Sequence, residues 1–297
     1  MKNSFLSILL LCTLHSIGQN GFYITSSDST KLYVQSFGSG EPVVILAGGP
    51  GLNAVYMKPI WETLSKNYRC IVLDQRGTAK SKLTAVDSSK ATVASYVNDL
   101  EALRKYLNVD QMTLIGHSWG GMLSMEYAAR HPKSVRKLVL LDPGGPTKNF
   151  LSYFNDNLFM RLREEDFKEM AQLDSLKKNR IKGYWPGYFY DRDRAIATKN
   201  ETNFDELLDA NPRFGNLAMA NYISTTDERV KLLKLFSGPV YIIQGRQDPI
   251  GESTVYEIKS LLPQSQVYFI EKCGHIPWAE NPEQVKIFYE RLNKCLK

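Results

Sequence analysis

Short runs of apolar, often β-branched residues recur along the chain: Pro42 to Ala47 (P-V-V-I-L-A), Cys70 to Asp74 (C-I-V-L-D), Met112 to Gly116 (M-T-L-I-G) and Lys137 to Asp142 (K-L-V-L-L-D). Continuous apolar runs of this length fit strands buried on both faces of a sheet. Between the second and third, Val93, Tyr96, Val97, Leu100, Leu103 and Leu107 recur at helical spacing. Ahead of them, Phe22 to Thr25 and Lys31 to Phe37 flank the polar turn S-S-D-S-T and read as a hairpin. The rhythm breaks after Pro143-Gly144-Gly145-Pro146 and returns at Pro239 to Gly245 (P-V-Y-I-I-Q-G). It then continues through Gln266 to Ile270 and a helix at Pro282 to Leu296. Alternating buried strands and helices predict a mostly parallel, doubly wound α/β sheet. The core is expected over residues 19–145 and 229–297, with a helical cap inserted at 146–228.

The first 18 residues stand apart. Lys2 gives a positive start, Phe5 to Leu14 is apolar but too short to span a bilayer, and Ser16-Ile17-Gly18 supplies small residues. The segment 1–18 is therefore expected to be a cleaved signal peptide, and the mature protein to be periplasmic or secreted.

The 297 residues, 43% hydrophobic and 23% charged, allow a full-size core without disulfide or metal staples. The net charge of +6 is spread along the chain, which argues against nucleic acid as a partner. After signal cleavage no membrane attachment is expected, and no cofactor is implied. Cys70, Cys273 and Cys295 lack metal-ligand spacing; Cys70 is expected to be buried, while a Cys273–Cys295 pair is left open.

Candidate chemistry centres on Gly116 to Gly121 (G-H-S-W-G-G), which places Ser118 between an apolar strand and a helix-forming run. A serine at the apex of a sharp strand-to-helix turn is a nucleophile elbow. Small residues two positions either side avoid collision within the turn. The N–H of Trp119, first in the helix, is placed to donate to an oxyanion. The second donor is expected from the loop after the first buried strand, at Gly49 in Gly48-Gly49-Pro50-Gly51.

A serine nucleophile needs a base, and the base needs an acid. Of four histidines, His15 lies in the signal segment, His117 should point away from its neighbour Ser118, and His131 ends the helix behind the elbow. His275, in C-G-H-I-P-W, follows the last strand at the edge where strand ends converge on a crevice. It is the expected base. Asp248, in Q-G-R-Q-D-P, is the expected acid, with Asp142 as competitor. The order Ser118, Asp248, His275 is the one expected of this fold. Asp74-Gln75-Arg76-Gly77 is expected to brace neighbouring loops through an Asp–Arg pair.

With G-G-P-G at 48–51, D-Q-R-G at 74–77, G-H-S-W-G-G at 116–121, G-R-Q-D-P at 245–249 and G-H at 274–275, the chain resembles the α/β-hydrolases. More narrowly it is similar to the proline iminopeptidase family of serine peptidases, from about residue 32 to the end. The resemblance implies an aminopeptidase that releases an N-terminal residue, usually proline, from a short peptide through an acyl-enzyme. Two positions depart from the family pattern. Ala47 stands where the family has histidine, and Ala220, in Met219-Ala220-Asn221-Tyr222, stands where a glutamate would hold the substrate's α-amine. Glu206, Asp209, Asp227 or Glu228 are the available replacements.

The aromatic stretch at 184–190, with Trp185 and Tyr188, is expected to line a substrate pocket or to pack the cap onto the core. An esterase, lactonase or amidase acting on a small molecule without a free amine fits the same triad. A non-catalytic binding protein would have no use for Ser118, Asp248 and His275 together.

Overall fold

The computed structural model describes residues 20–83, 87–209 and 212–297. The expected signal segment 1–18 lies outside them. Eight strands form one sheet: β1 (Asn20–Thr25), β2 (Lys31–Phe37), β3 (Pro42–Leu46), β4 (Arg69–Leu73), β5 (Met112–His117), β6 (Val135–Leu141), β7 (Val240–Gly245) and β8 (Gln266–Ile270). Their spatial order is β1-β2-β4-β3-β5-β6-β7-β8. β2 pairs antiparallel with β1 and β4, and every later pairing is parallel, from β3 against β4 to β7 against β8.

The apolar runs sit where their pattern places them. Alternate residues of β3 serve opposite cores: Val44 and Leu46 on one face, Val43 and Ile45 on the other. The first face is covered by α2 (Val93–Leu107) and α3 (Trp119–Arg130) together with α11 (Glu252–Leu261), the second by α1 (Lys58–Leu64) and α12 (Pro282–Leu296). α2 starts where Thr92 accepts from Ser95 N–H and stops where Asn108 turns left-handed at φ 53°. α12 buries Phe288, Leu292, Cys295 and Leu296 along one stripe. Each such aliphatic or aromatic side chain contributes about 1.5–3 kcal/mol of burial.

Between β6 and β7 the described residues form only helices: α4 (Leu151–Phe159), α5 (Glu164–Ser175), α6 (Ile181–Tyr184), α7 (Arg192–Glu201), α8 (Phe204–Leu207), α9 (Pro212–Ser224) and α10 (Thr226–Leu233), with a short 3-10 turn at Trp185–Tyr188. α10 spans position 228 and packs on α3, where buried Arg229 faces Glu126 at 3.4 Å. The cap is thus tied to the core helix that starts at the elbow.

Candidate active site

The elbow is built from backbone. Ser118 has φ 52° and ψ −115°, outside the ordinary regions for a side-chain-bearing residue. Such a conformation costs about 1–3 kcal/mol and persists only when its surroundings enforce it. Here the Ser118 N–H donates to Leu141 C=O at 3.0 Å, and the Ser118 C=O accepts from Gly121, Met122 and Gly144 N–H at 3.0, 3.2 and 3.3 Å. The flanking glycines answer to close approach. A Cβ on Gly116 would lie 2.3 Å from Gly120 O, and one on Gly120 would lie 2.1 Å from Leu46 O.

Ser118 and His275 line one cavity at the carboxyl ends of the strands. His275 Nδ1 lies 2.9 Å from Asp248 Oδ2. A carboxylate there fixes the proton on Nδ1 and leaves Nε2 as the acceptor nitrogen. The Asp248 carboxylate also accepts from Gln244 Nε2 and from Ile250 N–H, each at 2.8 Å.

The loop carrying His275 is clamped by the cap. His275 N–H donates to Tyr188 C=O at 2.6 Å, and the Tyr188 ring stacks on the imidazole with centroids 5.1 Å apart. A Cβ on Gly274 would lie 2.1 Å from Tyr188 O, so only glycine allows this approach. Buried Glu280 ties the same segments, accepting from Gly274 N–H and Tyr190 N–H at 2.8 Å each. Burial pushes its carboxyl above the usual range.

The His117 side chain closes a second network. Its Nε2 lies 2.9 Å from His275 C=O, and its Nδ1 lies 2.6 Å from Tyr56 Oη, which accepts Gly48 N–H at 2.7 Å. The polarity of this chain is fixed at both ends. An amide N–H can only donate and a carbonyl can only accept. Tyr56 O–H therefore donates to Nδ1, and Nε2 carries the imidazole proton. Burial and the neighbouring His275 hold the His117 pKa well below the ordinary value, consistent with a neutral ring. The network joins the loop after β3 to the loop after β8.

Gly49, at φ 122°, lines the cavity. Among the described residues, neither Gly49 N–H nor Trp119 N–H donates to another protein group. Both are therefore free for an oxyanion. The loop after β3 is braced again by Gln75, whose Nε2 donates to Ala47 C=O at 2.8 Å and whose Oε1 accepts Trp119 Nε1–H at 2.9 Å. This corrects the expected Asp–Arg brace. Arg76 instead turns away to Asp99 and Asp28, and Asp74 accepts Lys80 N–H at 3.1 Å. Gln75, flanked by two charged residues, gave no sequence signal of its own.

The cavity has a volume of about 330 Å³. None of its lining residues, among those described, is Asp, Glu, Lys or Arg. Its walls are mostly apolar and aromatic, with Leu52, Met122 and Ile276 from the core and Phe150, Phe154 and Tyr184 from the cap, and Asn179 and Asn216 add uncharged polar groups. Trp185 and Tyr188 line it too. Trp185 also packs edge-on against Phe204 and donates to Thr198 Oγ1 at 3.2 Å, so the aromatic stretch both fills the cap and faces the cavity.

The structure does not bring the expected amine-binding acids to this cavity. Glu206 lies in a separate surface groove with Asp209, which pairs with Lys82 at 2.6 Å. Glu228 pairs with Arg130 at 3.0 Å on the surface, and Asp227 is exposed. Ala220 is exposed as well, while Met219 lines the cavity. The helical pattern of α9 and α10 does not itself reveal which face meets the cavity. Cys70, Cys273 and Cys295 are all buried, unpaired thiols, so Cys273 and Cys295 do not pair.

Sheet order, elbow and cap together define an α/β-fold serine hydrolase. A family model for the alpha/beta hydrolase fold matches residues 41–282, and the chain belongs to that family. It is 27% identical over 266 residues to a cis-3-alkyl-4-alkyloxetan-2-one decarboxylase of Shewanella oneidensis, covering 85% of this chain and 82% of the relative. It is 26% identical over 277 residues to a proline iminopeptidase of Lactobacillus helveticus, covering 85% and 90%. Among solved structures, an esterase from Exiguobacterium antarcticum superposes with a TM-score of 0.68 at 22% identity, covering 93% of this chain and 98% of the esterase chain.

Proposed function

We propose that the protein hydrolyses a small, uncharged ester or lactone with an apolar acyl part, using Ser118, His275 and Asp248. The observation that carries this reading is the absence of any charged residue among the described residues lining the cavity around Ser118. A substrate ammonium buried there would lack a counter-ion, and an unpaired buried charge is far costlier than a lost hydrogen bond.

In this scheme Ser118 Oγ attacks the acyl carbon while His275 Nε2 takes its proton. Negative charge develops on the carbonyl oxygen, where Gly49 and Trp119 N–H donate. His275 then returns the proton to the leaving alkoxide, and the acyl group stays on Ser118. Water, deprotonated by His275, attacks the acyl-enzyme and releases the acid and the free serine. Asp248 keeps the Nδ1 proton in place throughout. The apolar N-terminal run at Phe5 to Leu14 supports export, so the substrate would be met outside the cytoplasm.

A second reading, an aminopeptidase for short peptides, is favoured by the similarity to the Lactobacillus helveticus proline iminopeptidase. One panel separates the two: p-nitrophenyl esters of two to eight carbons beside L-proline and L-alanine anilides, free and N-acetylated. Esters are expected to exceed the free-amine anilides by about 10² or more in kcat/KM, with no preference for the free amine. A clear preference for the free-amine anilides overturns the ester reading.

A further inference from the structure

One buried carboxyl beside the triad has no part in the scheme above. Asp142 directly follows β6, at φ 42°, and is fully buried. Its Oδ1 accepts Gly245 N–H at 2.7 Å. Its Oδ2 is equally buried and receives no donor among the described residues. Ligand-capable atoms of Asp142, Asp248 and His275 all lie within 4.8 Å of one another.

We propose that Asp142 is held as a neutral carboxylic acid whose Oδ2–H donates to the Asp248 carboxylate, making Asp142 a positioning residue for the triad. The donor count argues for it. A carboxylate offers about four acceptor sites. Asp248 has three donors: Ile250 N–H, Gln244 Nε2–H and His275 Nδ1–H. Asp142 has one, from Gly245. Two carboxylates at this separation in a buried site do not both ionise, and the proton stays on the one with fewer donors. A protonated Asp142 gives its orphaned Oδ2 a role and Asp248 its fourth donor.

The surrounding charges agree. Burial, then the charge on Asp248, push the Asp142 carboxyl well above the ordinary range, and Glu280 adds to that push. Gly245 N–H acts the other way. From the loop after β8, Cys273 and His275 face the pair; the Cys273 thiol is itself pushed upward by burial, then by Asp142, Glu280 and Asp248. Just past α4, Arg161 is a cation that faces Asp248 and Glu280.

This rests on the serine-hydrolase reading, which fluorophosphonate labelling of Ser118 tests separately. Asn at 142 keeps an acceptor for Gly245 and supplies an N–H donor, so it mimics the protonated acid. Asp142→Asn is expected to keep kcat within about threefold of wild type on the best ester, Asp142→Ala to lose about 10-fold or more, and Asp248→Asn about 10⁴. A loss above about tenfold in Asp142→Asn, or none in Asp142→Ala, overturns the proposal.

Thermal stability gives a second readout that needs no activity. The folded-state pKa of Asp142 is raised, so between the unfolded value near 4 and the folded value only the folded chain keeps this proton. Stability from this group is therefore lost as pH rises through that window. The Tm of Asp142→Asn relative to wild type should climb as pH rises above about 5 and level off only once the folded-state pKa has been passed. A constant difference means that Asp142 is ionised in both states and sinks the proposal, even if the alanine variant fails to fold.

Discussion

The elbow after β5 and the cap between β6 and β7 face the same cavity, but they are held in place by different means. At the elbow, four backbone hydrogen bonds and two glycines with no room for a methyl group fix Ser118 in a strained conformation. In the cap, short helices are joined by surface ion pairs such as Arg180–Asp174 and by side-chain packing around Trp185. Exposed pairs of that kind contribute about 0–1 kcal/mol each. Backbone constraint leaves little freedom of geometry, while side-chain packing tolerates exchange of volume and shape. The elbow is therefore suited to define a reaction, and the cap to define what reacts.

The sharpest way to break this division is at the nucleophile. Ser118→Ala removes the proposed nucleophilic oxygen without disturbing the turn, since alanine matches serine in volume. Turnover of the best ester should fall by about 10⁴–10⁶, and labelling by a fluorophosphonate should vanish while the Tm stays near wild type. Persistent labelling would mean that the elbow is not the reactive centre.

A smaller effect is expected one layer back. Tyr56→Phe removes the acceptor of Gly48 N–H and the donor to His117 Nδ1. Each buried polar group left unpaired costs about 1–3 kcal/mol. The loop carrying Gly49 and the carbonyl of His275 lose a common support. We expect kcat to fall about 10–100-fold with KM nearly constant, less than the 10²–10³ typical of deleting an oxyanion donor outright. A change confined to KM would show that Tyr56 contacts substrate instead of ordering the loop.

The two regions also differed in how much the sequence disclosed. β3, β4, β5 and β6 were legible because strands buried on both faces must be apolar throughout. The elbow was legible because its glycines answer to the backbone alone. The pairing of Asp248 with His275 followed from their positions at strand ends, and the hairpin and α12 from periodicity. The Tyr56–His117–His275 network was not legible, because its members lie 61 and 158 positions apart and no local pattern ties them. Glu280 was silent for the same reason, pairing with backbone of Tyr190 from 90 positions away. In the cap, Glu206 and Glu228 satisfied the chemistry of an amine site but sit on faces turned from the cavity. Helical periodicity tells which side of a helix is apolar, not which neighbour it meets. The buried role of Gln75 likewise depends on where Trp119 and Ala47 are brought by the sheet.

The smallest expected effect tests the cap directly. Phe154 on α4 lines the cavity beside Tyr188, with ring centroids 6.4 Å apart, and is only partly buried. Phe154→Ala leaves the elbow, Gly49, Asp248 and His275 untouched and removes part of the apolar wall. A half-buried phenyl ring in contact with substrate contributes about 1 kcal/mol, which is roughly fivefold in affinity. For acyl chains of six to eight carbons we therefore expect KM to rise about fivefold with kcat nearly unchanged. For acetyl esters, too short to reach a cap wall, no change is expected. Loss of uniform binding energy moves KM alone, whereas damage to the reaction moves kcat. If Phe154→Ala lowered kcat equally for both ester lengths, the cap would be shaping the reaction through its clamp on His275, and the division between the two regions would fail.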